Sequence, residues 1–399
     1  MVSLKGLDEL TPADLWREVA RDADEFWRDC QERQRALVKR ILEGLLEGEM
    51  VELLAAGRYR RVEGRHGYRN GFYERDLVTQ IGIITAIRVP RARQGSGDRC
   101  IFQQYQRRQA VVNQAIREVF LAGVSTRRVG ACLQPLLGEQ VSAQTVSRVT
   151  RSLDEEVRRF HREPLADDVR YLLLDGVSMR VKGAAGVKRR LVLVAYGISV
   201  TGERRLLDFR LATSESAACW EAFLRQLWER GLRGGALRLV TTDGCTGLHA
   251  ALDVVYPYVA RQHCWVHKLR NLAAVLKRSQ QQACLAGAKA IYQADTRRAA
   301  IQAYWAWARR WREEAPKAAA CIERDLDALL AHFACPPAHR VKVRTTNGIE
   351  RCFREVRRRT RPMTCFTNDA SCERIIYAVV CHQNRSWKGR PLSEFTQQA

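Results

Sequence analysis

The stretch RYLLLDGVSMRV, residues 170–181, places an acidic residue directly after a run of four apolar ones. The run Tyr171–Leu174 predicts a buried strand, in which an ionised carboxylate such as Asp175 is costly to desolvate. A second stretch, LRLVTTDGCTGL at residues 237–248, repeats the arrangement with Asp243. One aspartate at a strand end is more often a cap or turn residue. Two of them, each followed by glycine, favour a shared partner such as a metal ion.

The order of elements around these two stretches indicates a fold class. YLLLDGVSMRVK, RRLVLVAYGISV and RRLLDFRLA read as three strands joined by tight turns, which predicts an antiparallel meander. SESAACWEAFLRQLWERGL then predicts an amphipathic helix, with apolar residues recurring at spacings of three and four: Trp220, Phe223, Leu224, Leu227 and Trp228. A strand (ALRLVTTD), a helix (about Thr246 to Val255), a strand (YVARQHC) and a further helix (WVHKLRNL) follow. This is the order of a ribonuclease H-like fold, an α/β (α+β mixed) class.

In that fold the first strand lies at the centre of the sheet and the strand after the first helix pairs beside it. Asp175 and Asp243 should therefore meet at one edge. The last helix, in TTNGIERCFREVRRRTRP, offers Glu350 in its first turn as a third carboxylate. Alternatively, Glu350 simply complements the helix dipole. Glu355 is the rival ligand, but it lies deeper in the helix, where Arg351 and Arg359 provide solvated partners.

Three converging carboxylates repel one another, and a divalent cation relieves that repulsion. Hard oxygen ligands select Mg²⁺ or Mn²⁺. Two such ions, roughly 3.5 to 4 Å apart, support in-line phosphoryl transfer. The sequence therefore predicts Asp175, Asp243 and Glu350 as catalytic metal ligands.

The segment QHCWVHKLRN allows two interpretations. Cys264 and His267 have zinc-ligand spacing, and Cys335 with His339 could complete a structural zinc site. In the interpretation that we favour, Cys264 and His267 share one helix face near the carboxylates and are accessory residues of the active site. Trp305, Trp307 and Trp311 likewise either stack on unpaired bases or, as helical spacing favours, pack in a core.

The composition points to a polyanionic partner. The 399 residues include 67 Lys and Arg against 44 Asp and Glu, a net charge of +23, which favours DNA as the partner. No run of about 18 apolar residues predicts a membrane span, and MVSLKGLDELTP lacks the apolar core of a signal peptide. Thirteen cysteines without a secretory signal favour reduced thiols. We expect a cytoplasmic protein that associates with the nucleoid.

The region before the meander is predicted to contain helices on either side of a small basic module. Asn70-Gly71 predicts a turn, and Gly82 predicts a hairpin. Further on, Ser125 and Ser142 are candidate caps of short helices that resemble either a helix-turn-helix or a plain helical hairpin. The predicted organisation is a helical packing or oligomerisation segment (1–56), a basic strand-rich module (57–108), a helical DNA-binding region (109–165), and a catalytic domain (166–271 and 341–399) interrupted by an all-helical insertion (272–340).

The chain resembles the Mutator superfamily of bacterial insertion-sequence transposases, whose ribonuclease H-like DDE domain is interrupted by an all-helical insertion. The resemblance covers roughly residues 57–390 and rests on a series of motifs: RHGYRNGFYER, VPRAR, AGVSTRRVGACLQPLLGEQVSAQTVSRV, LLLDGVSMRV, TTDGCTGL, YPYVARQHCWVHKLRN and RTTNGIERCFREVRRRTR. It implies that Asp175, Asp243 and Glu350 are the metal-binding triad, and that Cys264 and His267 match the family's (Cys/Asp)-x-x-His signature.

The resemblance further implies a transposase that binds terminal inverted repeats and target DNA and acts as a dimer or higher oligomer. We expect the following basic residues to contact DNA: Arg69, Arg91, Arg127, Arg128, Arg148, Lys268, Arg270, Arg344, Arg351, Arg354, Arg357, Arg358 and Arg359. Two alternatives are a ribonuclease H-like resolvase that only hydrolyses DNA and a domesticated DNA-binding regulator without catalysis.

Overall fold

Two units make up the chain in a computed structural model that describes residues 11–93, 101–102, 106–138, 140–183, 186–360 and 365–396. The first unit comprises residues up to 120 together with 124–150, and the second comprises 121–123 and the residues from 151 onward. The elements up to residue 150 are α1 (Pro12–Arg21), α2 (Ala23–Leu54), β1 (Arg69–Thr79), β2 (Gly82–Ala92), α3 (Ala110–Leu121), α4 (Thr126–Leu137) and α5 (Ala143–Thr150).

The core of the first unit lies between α2 and the antiparallel β1–β2 ribbon. Leu46 of α2 packs with Leu77, Ile84, Ile87 and Val89 of the ribbon, and all five are buried. The predicted hairpin at Gly82 is confirmed, because β1 and β2 pair up to Thr79 and Gly82.

The turn predicted at Asn70-Gly71 is wrong, because both residues lie inside β1. The pairing register shifts between Arg69 and Phe72, and Gly71 has a φ of +71°. A bulge in a strand and a tight turn both need a residue that tolerates positive φ. The dipeptide alone therefore does not distinguish them.

Short helices follow the ribbon. Gly130 of α4 meets the backbone carbonyl of Val141, just before α5, so closely that no side chain fits at this position. The Ser142 hydroxyl accepts from the Thr145 N–H (3.2 Å) and caps α5 as expected. Ser125 stands at the N-cap position of α4 without a side-chain hydrogen bond there.

The second unit is built on a five-stranded sheet. Its first elements are α6 (Leu153–Phe160), β3 (Val169–Gly183), β4 (Gly186–Ser199), β5 (Arg204–Ala212), α7 (Ala217–Glu229), β6 (Leu239–Thr242), α8 (Thr246–Val255), β7 (Ala260–His263) and α9 (Trp265–Val275). The strand order is β5-β4-β3-β6-β7, in which β3, β4 and β5 form the expected antiparallel meander. The strands β6 and β7 run parallel to β3.

The rest of the chain is helical. These elements are α10 (Arg278–Gln293), α11 (Arg297–Glu314), α12 (Pro316–Glu323), α13 (Leu326–Leu330), a 3-10 helix (Ala331–Ala334), α14 (Pro337–Val343), α15 (Asn347–Thr360), α16 (Asp369–Trp387) and α17 (Ser393–Thr396). Trp265, Trp307 and Trp311 are buried in a core formed largely by α9 to α13. Core packing is therefore the correct interpretation for Trp307 and Trp311, whereas Trp305 is exposed.

Alternate residues of β3 supply two separate cores, one on each face of the sheet. Leu172 and Leu174 pack against α7 and α8. Leu173 and Val177 face the other way, toward α15 and α16. None of the described helices has both the length and the apolar character needed to cross a membrane.

Candidate active site

Asp175 lies in the interior of β3 and has only 4% of its surface exposed. Because side chains alternate along a strand, it faces the same side as Leu173 and Val177, toward α15. Burial, together with smaller contributions from the Asp243 and Glu350 carboxylates, raises the pKa of Asp175 to about 6. His267 and a hydrogen bond with Thr346 act in the opposite direction. Burial therefore disfavours the ionised form of Asp175.

Asp243 follows β6, which runs beside β3. Leu173 pairs with Thr241 in this parallel register, so continuing the register by two residues brings Asp243 to the position beside Asp175. One carboxylate oxygen of Asp243 accepts from the Cys245 N–H (3.0 Å), which orients the side chain at the start of α8. The predicted meeting of the two aspartates at adjacent strands is consistent with this register.

Glu350 lies in the first turn of α15. Neighbouring residues of the helix, including Ile349 and Phe353, are buried against the sheet face that carries Asp175. An oxygen of Glu350 lies 2.7 Å from Nη1 of Arg270 in α9. Glu350 thus contributes negative charge near Asp175 while its carboxylate is paired with an arginine.

Glu355, the rival third carboxylate, forms an ion pair with Arg358 (2.9 Å) on the same helix. Glu355 therefore has an exposed arginine partner, as its position in the helix predicts, and that partner is Arg358. The carboxylates that act on the pKa of Asp175 are those of Asp243 and Glu350.

Cys264 and His267 form a polar pair beside the carboxylates. The Cys264 sulfur is buried and accepts from the Thr346 N–H (3.3 Å). Burial acts to raise the pKa of Cys264, but hydrogen bonds with His267 and Thr346 lower it overall. The hydrogen bond with Cys264, helped by Asp175 and Asp243, raises the pKa of His267 to about 9. The pair therefore places an imidazolium close to both aspartates.

The zinc interpretation of these residues does not fit the structure. His339 contacts the Tyr171 hydroxyl (2.9 Å) and stacks on Phe395, whereas Cys264 is hydrogen-bonded to Thr346. Across the described ranges, no three His, Cys, Asp or Glu side chains are grouped closely enough to hold a metal ion as they stand.

The same finding holds for the proposed Mg²⁺ or Mn²⁺ ligands, whose side chains are not grouped around a common point as they stand. The donors Asp175, Asp243 and Glu350 are all carboxylates, the ligand type that these hard cations prefer. The raised pKa of buried Asp175 shows that its ionised form is disfavoured, and a bound cation would stabilise that form. The residues thus fit a divalent cation chemically, and Glu350 would have to leave Arg270 in order to join it.

Glu215, which no sequence pattern singles out, lies at the same edge of the sheet. It precedes α7, and burial together with Asp243 raises its pKa. The segment SES around it has no hydrophobic periodicity that would single it out. The glycine after Asp175 is the one available signal, since a Cβ on Gly176 would lie 2.5 Å from Oε1 of Glu215.

The basic residues predicted to contact DNA differ in accessibility. Arg344 is half-buried and donates to the Tyr292 carbonyl (2.9 Å), and Arg69 pairs with Glu47 (2.8 Å). The exposed members are Arg91, Arg127, Arg128, Arg148, Arg270, Arg351, Arg354, Arg357 and Arg358. The side chain of Arg359 lies outside the described residues.

Lys268 is the predicted DNA contact that has to be corrected. It is buried and pairs with Asp325 inside the second unit. The motif HKLRN places Lys268 and Arg270 two residues apart, on different faces of α9. Arg270 is exposed, and Lys268 is not available to a DNA backbone.

Comparison with known proteins identifies the family. The family model described as "Transposase, Mutator family" matches residues 12–390. The chain belongs to the Mutator family of transposases. It is 36% identical over 342 residues to the transposase for insertion sequence element IS406 of Burkholderia multivorans (85% of this chain, 87% of the relative). It is 34% identical over 353 residues to the transposase for ISRM5 of Rhizobium meliloti (88% of each chain).

A Mutator-family transposase is an enzyme that acts on DNA, so the predicted polyanionic partner of this basic chain is DNA. The transposase for IS256 in transposon Tn4001 of Staphylococcus aureus is 29% identical over 350 residues (87% of this chain, 89% of the relative). Similarity extends over most of the length in all three comparisons. The chain therefore shares both units with transposases of insertion sequence elements.

Proposed function

We propose that this transposase cleaves and joins DNA strands at a divalent-metal site formed by Asp175, Asp243 and Glu350. The observation that carries the proposal is the parallel register of β3 and β6, with Leu173 opposite Thr241. It gives both aspartates neighbouring positions at one end of the strand pair. The α15 helix, with Glu350 in its first turn, packs on the face of the sheet toward which Asp175 points.

The catalytic unit is proposed to have the ribonuclease H-like fold. Its element order, three antiparallel strands, a helix, a strand, a helix and a strand, supports this assignment, as does the central position of β3. The helices α10 to α14 would form the all-helical insertion, for which the sequence predicts residues 272–340.

The three carboxylates would hold Mg²⁺ or Mn²⁺, as a pair of ions. When bound, such ions activate an attacking oxygen and stabilise a leaving one during phosphoryl transfer. His267 favours the ionised form of Asp175, which is the form that a cation requires. Arg270, exposed and paired with Glu350, would be free to contact a DNA phosphate once Glu350 joins the cation.

The proposed reaction has two phosphoryl-transfer steps. In the first, water attacks the phosphodiester at the element end, and the bond from phosphorus to the 3′ oxygen breaks to leave a 3′-hydroxyl. In the second, that hydroxyl attacks a phosphodiester of target DNA, and a target 3′-hydroxyl leaves. The active-site residues form no covalent bond to DNA in either step.

Recognition of terminal inverted repeats is proposed for the first unit. The short helices α4 and α5 carry exposed Arg127, Arg128 and Arg148, and the β1–β2 ribbon carries exposed Arg91, stacked on Tyr73. Arginine contacts to the DNA backbone fix the position of a protein on the duplex, whereas contacts to the bases supply sequence information.

Single substitutions test the triad. Asp175→Asn, Asp243→Asn and Glu350→Gln should each reduce cleavage and joining of repeat-end DNA by more than about a hundredfold, because even groups that only orient metal ligands contribute roughly 10- to 100-fold. Binding to the same DNA, measured by fluorescence anisotropy, should change little.

Glu355→Gln is the matched control, since Glu355 lies on the same helix and pairs with Arg358. It should retain both activities. Full strand transfer by any of the three triad variants would refute the assignment. A precleaved end with a free 3′-hydroxyl separates a transposase from a resolvase, because a resolvase would form no joined product.

A further inference from the structure

A fourth carboxylate, that of Glu215, lies close enough to the proposed triad for Asp243 to raise its pKa. It precedes the N-cap residue of α7, Ser216, in the connection that follows β5. Asp175 faces α15, whereas Gly176, the next residue of β3, faces the opposite side of the sheet. Glu215 approaches from that opposite side, with Oε1 against Gly176.

Two glycines from different elements make room for Glu215. A Cβ on Gly176 of β3 would stand 2.5 Å from the Glu215 carboxylate oxygen. A Cβ on Gly247 of α8 would collide with the Glu215 backbone carbonyl, which also accepts from the Cys245 thiol (3.7 Å). The carboxylate is therefore held in a defined place by β3 and by the loop that carries Asp243.

The charged groups that act on the pKa of Glu215 are Asp243, which raises it, and His267, which lowers it. Among the described residues, no lysine or arginine lies within ion-pair distance of its carboxylate, although the chain carries a net charge of +23. Asp243 and His267 act electrostatically on both Glu215 and Asp175. Asp243 thus interacts electrostatically with one carboxylate on each face of the sheet. A half-buried carboxylate next to another is costly to ionise, and a divalent cation would offset that cost.

We propose that Glu215 is a further ligand residue of the active site, which holds a divalent cation together with Asp243 from the α7 side of the sheet. This inference rests on the proposed function, because it assigns Glu215 to the cation site of that reaction. It also explains why a glycine follows Asp175. The aspartate would bind the cation on one face of the strand, and the absence of a side chain at Gly176 leaves room for Glu215 on the other face.

The test measures Mn²⁺ binding rather than catalysis. Free Mn²⁺ is titrated by electron paramagnetic resonance against the full chain and its variants Glu215→Gln, Asp243→Asn and Glu221→Gln. The last is the control, since Glu221 lies on α7 and pairs with Arg225 (2.8 Å). Glu215→Gln should weaken Mn²⁺ binding by roughly tenfold or more, and Glu221→Gln should not.

Thermal unfolding of the same variants separates ligation from a purely structural role. Glutamine has the shape of glutamate without its charge, so Glu215→Gln should unfold no earlier than the wild type in the presence of a chelator. Earlier unfolding with unchanged Mn²⁺ affinity would overturn the inference. Fe²⁺ bound in place of Mn²⁺ provides a second readout, because the hydroxyl radicals that it generates cleave the protein backbone close to the ion. We expect cleavage near residue 215 as well as near residues 175 and 243.

The two proposals fail in distinguishable ways. If Asp243→Asn loses Mn²⁺ binding and Glu215→Gln does not, the inference about Glu215 is wrong and the proposed triad stands. If neither substitution changes Mn²⁺ binding, the metal site itself is refuted.

Discussion

At the scale of single residues, Asp175 combines a cost in stability with a proposed role in catalysis. Its carboxylate is buried in the sheet, and the same burial that raises its pKa to about 6 makes its ionised form unfavourable. Residues at functional sites commonly carry such a cost, which the rest of the fold offsets.

Asp175→Asn should therefore stabilise the folded chain at neutral pH when no divalent cation is present. The pKa of Asp175 is raised from 3.8 to about 6 on folding, so the folded protein holds this proton more tightly than the unfolded chain does. The stability of the wild type should fall as pH rises through that window, because folding then requires a buried negative charge. Above pH 6 the variant should be more stable by on the order of 2 to 3 kcal/mol.

Urea denaturation of both proteins in EDTA between pH 4 and 8 measures this difference. The difference should be small at pH 4, grow up to about pH 6 and remain level above it. A difference that is the same at pH 4 and pH 8 would mean that Asp175 is not held in an environment that disfavours its charge.

Residue patterns in the sequence select three of the proposed site residues and pass over the fourth. Asp175, Asp243 and Glu350 are conspicuous because each is a carboxylate next to an apolar run or at a helix start. Glu215 lies in a short polar connection, where nothing distinguishes a ligand from a solvated side chain. Lys268 was misassigned because its partner, Asp325, is distant in the sequence and is brought near only by folding.

At the scale of elements, hydrophobic periodicity predicted the second unit well. The α7 helix buries Trp220, Phe223, Leu224 and Leu227 as its spacing indicated, although Trp228 is largely exposed. The β-meander and the parallel pairing of β3 with β6 follow from short turns and an intervening helix. The bulge at Gly71 did not follow, since strand pairing decides it and the local sequence does not.

Close packing between α4 and the start of α5 gives an element-scale prediction. Gly130→Ala should destabilise the first unit by about 1 to 3 kcal/mol, because its Cβ would collide with the Val141 carbonyl. Binding to repeat-end DNA should weaken in parallel if these helices contact it.

Gly44→Ala on α2 is the matched control, since no atom lies within 4 Å of a Cβ at that position. It should stabilise the helix by roughly 0.5 to 1 kcal/mol. Chemical denaturation and anisotropy measure both effects. Equal stability of the two variants would contradict the packing described for α4 and α5.

At the scale of the whole molecule, charge is the property that the sequence predicts most directly. The net charge of +23 does not depend on how the chain folds. Folding decides which of the positive groups are accessible. Arg69 pairs with Glu47 and Arg344 donates to the Tyr292 carbonyl. Four arginines of α15 are exposed instead: Arg351, Arg354, Arg357 and Arg358.

DNA binding should weaken steeply with salt. Each duplex phosphate that the protein neutralises contributes about 0.9 to the slope of log affinity against log salt concentration. Arg354→Ala should reduce the slope by about one such step. Arg310→Ala, which removes an exposed arginine paired with Glu314, should leave it unchanged. An affinity that is insensitive to salt would refute the proposed backbone contacts.

The central claim is that Asp175, Asp243 and Glu350 hold divalent cations at the end of the β3–β6 strand pair. Anomalous diffraction from crystals grown with Mn²⁺ and repeat-end DNA tests it most directly. A manganese peak within ligand distance of both aspartates, with Glu350 released from Arg270 to join them, is the predicted result. Manganese bound elsewhere, with the two aspartates free of metal and Glu350 still paired with Arg270, would contradict the claim.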